Sequence, residues 1–351
     1  MSTLADPSSV MYEIDQSIPL GGPSEGIWAR LFRMRRITIG GGILLLIIAA
    51  CVVTMPWTLS QQGALSYARQ YETQVRAAPG WAASAPEAST AADRPSAVIG
   101  IFGYDTLGRS ILGRCLLGGT ISLAVGVAAA LIAVVLGVSV GLLAGYMGGW
   151  VDSVLMRLVD ILYGLPYILL VILFKIALED RFAWLFGALQ RKLDVQWFSA
   201  SQAANLVVMF LAIGLVSWLT MARVVRGQVL SLRAMPFIEA CRSMGLKQRT
   251  IFWRHVLPNL VGPITVYATL TVPSAILQES FLSFLGVGVK PPLPTWGSLA
   301  SEAVTALSPV RVYWWVLLFP CALLMTTLLC LNFVGDGLRD LFDPKREAAK
   351  I

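Results

Sequence analysis

Charged residues, histidine and paired cysteines are all scarce in this sequence of 351 residues. Only 13% of the residues are charged, whereas a soluble globular domain carries about 25%. Instead, 56% are hydrophobic, and the mean hydropathy is +0.72. This composition excludes a soluble enzyme and a disordered chain. The five cysteines form no C-x-x-C pair, so neither a disulfide framework nor a zinc site is indicated. The chain therefore belongs among membrane proteins.

Motifs of catalysis and nucleotide binding are missing as well. The sequence contains no G-x-x-x-x-G-K-S/T loop, so we expect the chain to hold no nucleotide by itself. The single histidine, His255, has neither a nucleophile elbow nor a metal-ligand cluster beside it. A membrane-embedded hydrolase is therefore the weakest of the functions considered. We expect no catalytic residue, no bound cofactor and no metal site in this chain.

Long apolar runs take the place of these features. Roughly 20 apolar residues of helix cross a bilayer core about 30 Å thick, and six runs meet that requirement. The first run starts too far from the N-terminus, and is too long, to be a cleaved signal segment. The sequence predicts an all-α integral membrane protein with six transmembrane helices at Ile37–Met55, Ile121–Met147, Val154–Leu178, Val195–Ala222, Val256–Gln278 and Val312–Gly335. The uncharged stretch just before the second run is predicted to lie at the membrane interface.

The distribution of Lys and Arg predicts the orientation of these helices. Four arginines lie just before the first span, and the segment from Arg223 to Arg254 carries seven basic residues against one acid, Glu239. Because loops rich in Lys and Arg stay inside the cell, we expect this segment and both termini to be cytoplasmic. The expected division is a cytoplasmic segment 1–36, a first helix 37–55, an extracytoplasmic loop 56–114, a membrane domain 115–340 and a cytoplasmic tail 341–351.

Two segments between the spans are predicted to lie outside the cell. The segment Trp57–Ala97 is rich in Ala, Ser, Pro and Gln and shows no sustained period, which predicts a partly irregular loop. The segment Glu179–Asp194 has apolar residues at helical spacing with charges between them. That pattern predicts a short amphipathic helix on the membrane surface.

Four glycines recur every four residues along the second span, at Gly137, Gly141, Gly145 and Gly149. This spacing places them on one helical face, where the missing side chains let another helix come close. Such a stripe usually indicates packing within one chain. The alternative is a seam against a partner subunit.

Charges within or beside the spans are candidates for functional residues, because burying a charge in lipid is expensive. Arg157 and Asp160 are three residues apart and share a helical face, so a pair between them is predicted, with a role in a transport route as the alternative. Glu279 ends the fifth span and is interpreted as a pathway residue or an interface residue. In an ion- or proton-coupled transporter, Asp160 and Glu279 would be the coupling carboxylates, although no inverted repeat is visible.

The segment of about 231–260 has a pattern of its own. Pro236 suits the first position of a helix, and Gly245 suits the position after its end. A second short helix is predicted from Lys247 to Val256, stopping at Pro258. Two short helices held between spans can transmit force to a soluble partner. The alternatives are a plain positive loop and a basic helix-turn-helix, which the tether to two spans disfavours.

The same segment resembles a known motif, the EAA loop of ABC importer permeases. That motif runs E-A-A, three residues, G, and ends on L-P. The residues that carry the resemblance are Glu239, Ala240, Cys241, Gly245, Ile251, His255, Leu257, Pro258 and Asn259. Cys241 departs from the pattern by replacing an alanine, which is a small-for-small change. The resemblance implies that this loop couples the chain to cytoplasmic ATPase subunits.

Three further stretches are similar to permeases of the dipeptide and oligopeptide group. The first is Gly103 to Ser110, in which Tyr104 and Ser110 depart from the pattern. The others are Glu279 to Gly288, with Trp296-Gly297 after it, and Asn332 to Asp340, with Asp343-Pro344 after it. The four motifs follow the family's order over most of the chain, whereas the N-terminal part matches in layout only.

The resemblance implies a type I ABC importer permease fold that works within a complex. The implied partners are a second homologous permease, two ATPase subunits that bind ATP and Mg, an extracytoplasmic peptide-binding protein, a di- or oligopeptide and membrane lipid, with no nucleic acid. The implied location is the bacterial cytoplasmic (inner) membrane. ATP-driven peptide import is thus the expected function, and an ion- or proton-coupled secondary transporter is its rival.

Overall fold

The computed structural model describes residues 35–60, 63, 65–81, 98–193, 199–306 and 312–342, and helices dominate this part of the chain. A short 3-10 turn, Glu72–Gln74, lies between the first two helices, and a π-helical turn, Phe252–Val256, joins the seventh to the eighth. The helices are α1 (Arg35–Leu59), α2 (Ile111–Met147), α3 (Gly149–Tyr163), α4 (Tyr167–Leu193), α5 (Ala200–Arg233), α6 (Pro236–Ser243), α7 (Gln248–Ile251), α8 (Leu257–Phe284), α9 (Trp296–Ala306) and α10 (Trp314–Phe342).

The number of candidate spans agrees with the sequence. Within the described residues, α1, α2, α5, α8 and α10 are long and apolar enough to cross a membrane, and the bent pair α3–α4 supplies a sixth span if it counts as one. The prediction of an all-α membrane protein is confirmed.

The third predicted span, Val154–Leu178, is wrong as a single helix. α3 and α4 meet at an angle of 98°, with the break at Gly164 to Pro166. Proline has no amide hydrogen and disfavours helical backbone at the residue before it, so the helix ends there. α4 then continues without interruption to Leu193. The separate surface helix predicted from residue 179 is therefore wrong, because most of that segment is the second half of α4.

The predicted start of the second span is wrong too, since α2 already begins at Ile111. The hydroxyl of Ser110 caps it by accepting a hydrogen bond from the backbone N–H of Gly113 at 3.4 Å. Cys115, on the stretch expected at the membrane interface, is completely buried. Its carbonyl accepts a hydrogen bond from the indole of Trp296 at 3.0 Å. This stretch is apolar because it packs inside the protein.

α5 also runs well beyond its predicted end at Ala222. It begins with a capping box. The Ser199 hydroxyl accepts a hydrogen bond from the Gln202 backbone N–H, and the Gln202 side chain accepts one from the Ser199 backbone N–H. Its last turns bury Val225 and Val229 against neighbouring helices. Arg233 ends it and donates hydrogen bonds to the carbonyls of Gly145 and Tyr146. The helix thus extends past the apolar run because tertiary contacts support its charged end.

α2 lies at the centre of the bundle and packs on α1, α5, α8, α9 and α10. The largest apolar core joins residues of α2, α4, α5 and α8. α9 folds back onto the bundle through Trp296, which is fully buried in a second apolar cluster with Cys51, Leu123 and Ile276. A Cβ added to Gly297 would lie 2.2 Å from the Ser280 carbonyl oxygen, so only glycine allows this crossing of α9 and α8. The tryptophan-glycine pair therefore fixes the position of α9.

Candidate functional site

The short helix α6 has the ends that its sequence predicts. Pro236 occupies its first turn, and Gly245 follows it with φ +75°. The backbone N–H of Leu246 donates to the Cys241 carbonyl at 3.2 Å, and the N–H of Gly245 donates to the Arg242 carbonyl at 2.9 Å. This is the Schellman arrangement, which requires a left-handed residue and so favours glycine.

One face of α6 is anchored to the membrane helices. Ile238 is fully buried, and Cys241 is 6% exposed. Both belong to an apolar cluster with Met221, Val225 and Val229 of α5 and with Ile251, Val256 and Leu260 further along the chain. Burying a side chain such as isoleucine contributes about 1.5–3 kcal/mol. α6 is therefore packed against α5 and the start of α8.

The opposite face of α6 is exposed. Glu239, Ala240 and Gly245 are all open to solvent. Two large apolar side chains accompany them, Phe237 at 42% and Met244 at 70% exposure. Apolar groups beside charges on a surface element are typical of a protein docking site. We call α6 and α7 together, with the turn between them, the docking element.

The second short helix differs from its prediction. α7 covers only Gln248–Ile251, the π-helical turn Phe252–Val256 follows, and α8 begins at Leu257. The helix does not stop at Pro258, because that proline lies in the first turn of α8, where its missing N–H leaves no helical bond unmade. The chain is thus helical from Gln248 into the span. Single π-turns of this kind are frequent at functional sites.

The end of α2 is tied both to the docking element and to the end of α5. The hydroxyl of Tyr146 donates to the Gln248 carbonyl at 2.5 Å, and its ring lies 4.8 Å from that of Phe252. The Arg233 guanidinium donates to the Gly145 carbonyl at 2.7 Å and to the Tyr146 carbonyl at 3.0 Å. Sequence reasoning missed these contacts because the partners are about 100 residues apart.

The glycine stripe packs within the chain. A Cβ added to Gly137 would lie 2.5 Å from Met221, one added to Gly141 would lie 2.6 Å from the Ala222 carbonyl, and one added to Gly145 would lie 2.8 Å from Val229. All three contacts are with α5, which confirms the expectation of intramolecular packing. Gly149 is outside this seam, since it begins α3 and nothing lies within 4 Å of its added Cβ.

The predicted pair between Arg157 and Asp160 is wrong. Asp160 accepts a hydrogen bond from the Arg223 guanidinium of α5 at 2.8 Å, and Arg223 also lies over the ring of Tyr163 at 4.0 Å. Arg157 is exposed. A second arginine of α5, Arg226, binds Asp152 through two hydrogen bonds of 2.5 and 2.6 Å. Both acids of α3 thus pair with α5.

Glu279 is neither at the chain surface nor on an open route, contrary to its interpretation as a pathway or interface residue. Its side chain is completely buried between α8 and α2. It accepts hydrogen bonds from Ser122 at 2.9 Å and from Ser283 at 2.6 Å, and Ser280 lies at 3.4 Å. The carboxylate joins two helices through hydroxyl groups, which is a structural role.

The motif before α2 builds an ionic network around the buried Arg114 that sequence reasoning did not identify. The Arg114 guanidinium donates to Asp105 at 2.7 Å and to both carboxylate oxygens of Glu302 on α9, at 2.7 and 2.8 Å. Arg109 also binds Asp105, at 2.7 Å. Two parallel bonds from one guanidinium fix geometry as well as charge. The network locks the turn before α2 to α9.

Tyr104, one of the departures from the motif, packs beside this network. Its side chain is 3% exposed, and its ring meets that of Tyr71 edge to face at 5.8 Å. Burial, together with the neighbouring Tyr71, raises the pKa of Tyr104 to about 12. The Tyr104 ring therefore packs against Tyr71 under the turn before α2.

These elements define the class of the protein. It is a multi-pass helical membrane protein that presents a docking element at one end of its bundle. In the part of the chain that the structure describes, no group of three or more His, Cys, Asp or Glu side chains could hold a metal ion.

The chain belongs to the family of the binding-protein-dependent transport system inner membrane component, whose family model matches residues 137–348. It is 44% identical to the oligopeptide transport system permease protein OppC of Salmonella typhimurium, over 90% of this chain and 89% of that protein. It is 38% identical to the dipeptide transport system permease protein DppC of Bacillus subtilis, over 70% and 68%. It is 41% identical to the glutathione transport system permease protein GsiD of Shigella flexneri, over 70% and 72%. These findings confirm the family resemblance and the type I permease fold.

Proposed function

We propose that this chain is a permease subunit of an ATP-driven importer that moves di- or oligopeptides across the cytoplasmic membrane. The observation that carries the proposal is the docking element, whose buried face is continuous with two spans and whose exposed face carries Glu239. The family membership and the peptide systems of the relatives support the substrate class.

The coupling follows from how the docking element is held. ATP and Mg belong to two partner ATPase subunits, and their closure displaces α6. Because Ile238 and Cys241 are packed against α5, the displacement moves that helix as well. α5 packs on α2 through the glycine seam and on α4. The bundle then moves as rigid bodies about the route, which is the usual form of alternating access.

The orientation belongs to the proposal. We place both termini and the docking element in the cytoplasm, because basic residues most exceed acidic ones there. The ionic network of Asp105, Arg114 and Glu302 then lies outside. An extracytoplasmic peptide-binding protein delivers the peptide to that side, and a second homologous permease completes the route.

The rival ion-coupled mechanism has little support. A coupling carboxylate must exchange its cation or proton with water, yet Glu279 is completely buried and bonded to serines. Asp160 is exposed but is already paired with Arg223. Neither carboxylate stands free in an open route.

Co-purification and transport together test the proposal. Tagged protein extracted in mild detergent should retain two ATPase subunits and a second six-span permease. Proteoliposomes holding that complex and the binding protein should take up peptide with ATP and keep doing so after the proton gradient is collapsed. Peptide accumulation by this chain alone, driven by an imposed pH gradient, would overturn the proposal.

A further inference from the structure

A cavity of about 570 Å³ lies between the α3–α4 break, α5 and α8. Ligand pockets usually measure roughly 300–1,000 Å³. The cavity walls include the hydroxyl or amide groups of Tyr167, Thr220, Tyr267, Thr271, Ser274 and Gln278. Every lining side chain that the structure describes is uncharged. Thr220 and Ser274 are exposed, so the cavity is open on one side.

The polar groups in this cavity can form hydrogen bonds with the main chain of a peptide. The Thr271 hydroxyl donates to the Tyr267 carbonyl at 2.7 Å, and the Ser274 hydroxyl donates to the Leu270 carbonyl at 3.1 Å. Since each hydroxyl hydrogen is used inside α8, each oxygen remains free to accept. The Tyr167 hydroxyl donates to Oε1 of Gln278, which leaves the amide hydrogens of Gln278 as donors. Acceptors beside amide donors match the N–H and C=O groups of a peptide.

The helix break supports a ligand at this position. Backbone groups without helical partners are tolerated at membrane depth only where protein or a water-filled cavity covers them. Tyr163 and Leu165, on either side of Gly164, line the cavity at the 98° bend. Discontinuous helices supply main-chain groups to substrate sites in transporters.

Charge is kept at the edge of the cavity. Arg223 lies over the Tyr163 ring at 4.0 Å and is neutralised by Asp160 at 2.8 Å. A charged side chain of a passing peptide therefore meets no fixed opposite or like charge among the lining residues. Peptides of different sequence share their main chain, which is the part the cavity can bind.

We propose that this cavity holds the passing peptide by its main chain, so that passage is indifferent to side-chain charge. The inference rests on the proposed peptide transport. It assigns Tyr167, Thr271, Ser274 and Gln278 as residues that contact the substrate.

A charge placed in the cavity tests the proposal. Gln278→Glu keeps the shape of the side chain, and uptake of the tripeptides Ala-Glu-Ala and Ala-Lys-Ala is measured in cells that express the complete transporter. The ratio of acidic to basic peptide uptake should fall roughly tenfold against the parent protein, because like charges a few Å apart repel in a partly hydrated site. Gln202→Glu makes the same change at the start of α5, outside the cavity, and should leave the ratio unchanged.

The outcomes separate the two proposals. An unchanged ratio with normal uptake by Gln278→Glu overturns the cavity assignment and leaves peptide transport standing. Failure of the parent complex to import either peptide with ATP overturns the transport proposal itself. If Gln278→Glu imports neither peptide, a matched pair of hydroxyl deletions decides the question.

The matched pair is Thr271→Val and Thr265→Val. Each removes a hydroxyl that donates a hydrogen bond within its own helix. The Thr271 hydroxyl donates to the Tyr267 carbonyl at 2.7 Å, and the Thr265 hydroxyl donates to the Val261 carbonyl at 2.8 Å. Only Thr271 of the two lines the cavity. Severalfold lower uptake of both tripeptides by Thr271→Val alone supports the proposal, and equal uptake by the two variants overturns it.

Discussion

Replacement of Gly245 gives a graded test of the docking element. Its φ of +75° is a backbone conformation that suits glycine, yet a Cβ added there would meet nothing within 4 Å. Gly245→Ala therefore causes conformational strain and no clash. Gly245→Pro cannot adopt a positive φ, and it also deletes the N–H that donates to the Arg242 carbonyl at 2.9 Å.

The magnitudes separate the two variants. Left-handed backbone costs an alanine about 1–2 kcal/mol. Burial of Ile238 stabilises α6 by about 1.5–3 kcal/mol, and burial of Cys241 adds a further contribution. The strain in the alanine variant is therefore smaller than the stabilisation of α6 by burial. Proline costs about 3 kcal/mol or more, a figure that already includes the hydrogen bond it removes. The proline variant thus costs at least about as much as the burial of Ile238 contributes. We expect Gly245→Ala to retain most peptide uptake and Gly245→Pro to lose it.

Uptake of a labelled peptide at matched membrane levels, with co-purification of ATPase subunits, measures both effects. Gly286 supplies a control, because it has φ +80° and a Cβ added to it would meet nothing within 4 Å. It lies outside the docking element. Gly286→Ala should carry the same strain and leave ATPase binding intact. Normal uptake by Gly245→Pro, or an equal loss in Gly245→Ala and Gly245→Pro, would refute the reasoning.

The remaining predictions concern orientation, the ionic network and the glycine seam. A cysteine at Lys247 should react with impermeant reagents only after the cell is opened, and labelling in intact cells would reverse the orientation. Arg114→Ala removes the buried guanidinium that joins Asp105 to Glu302, while Arg109 remains beside both carboxylates, and should reduce the free energy of unfolding by about 1–3 kcal/mol. Glu302→Gln should be milder. Thermal unfolding in detergent measures both, and an unchanged melting temperature would contradict the role of the network. Gly141→Leu should disrupt folding because its Cβ would lie 2.6 Å from the Ala222 carbonyl, whereas Gly227→Leu meets nothing within 4 Å and should give a normal size-exclusion profile. Equal profiles would contradict the seam.

The sequence alone determined the features that depend on neighbouring residues. The apolar runs predicted membrane helices because their length is set by bilayer thickness. The ends of α6 were predictable from Pro236 and Gly245, since capping depends on a few adjacent backbone groups. The break after α3 had a local signal as well, in Gly164 and Pro166, but an apolar run on both sides of the break concealed it.

Only the tertiary structure decided which helices meet. Asp160 has Arg157 on its own helix three residues away, yet it pairs with Arg223, because helix packing places α3 against α5. Glu279 looked like a functional charge by its place in the sequence, and three serines, one of them on α2, make it a buried structural group. Partners such as these are set by how the helices pack, and no spacing along the chain records that packing.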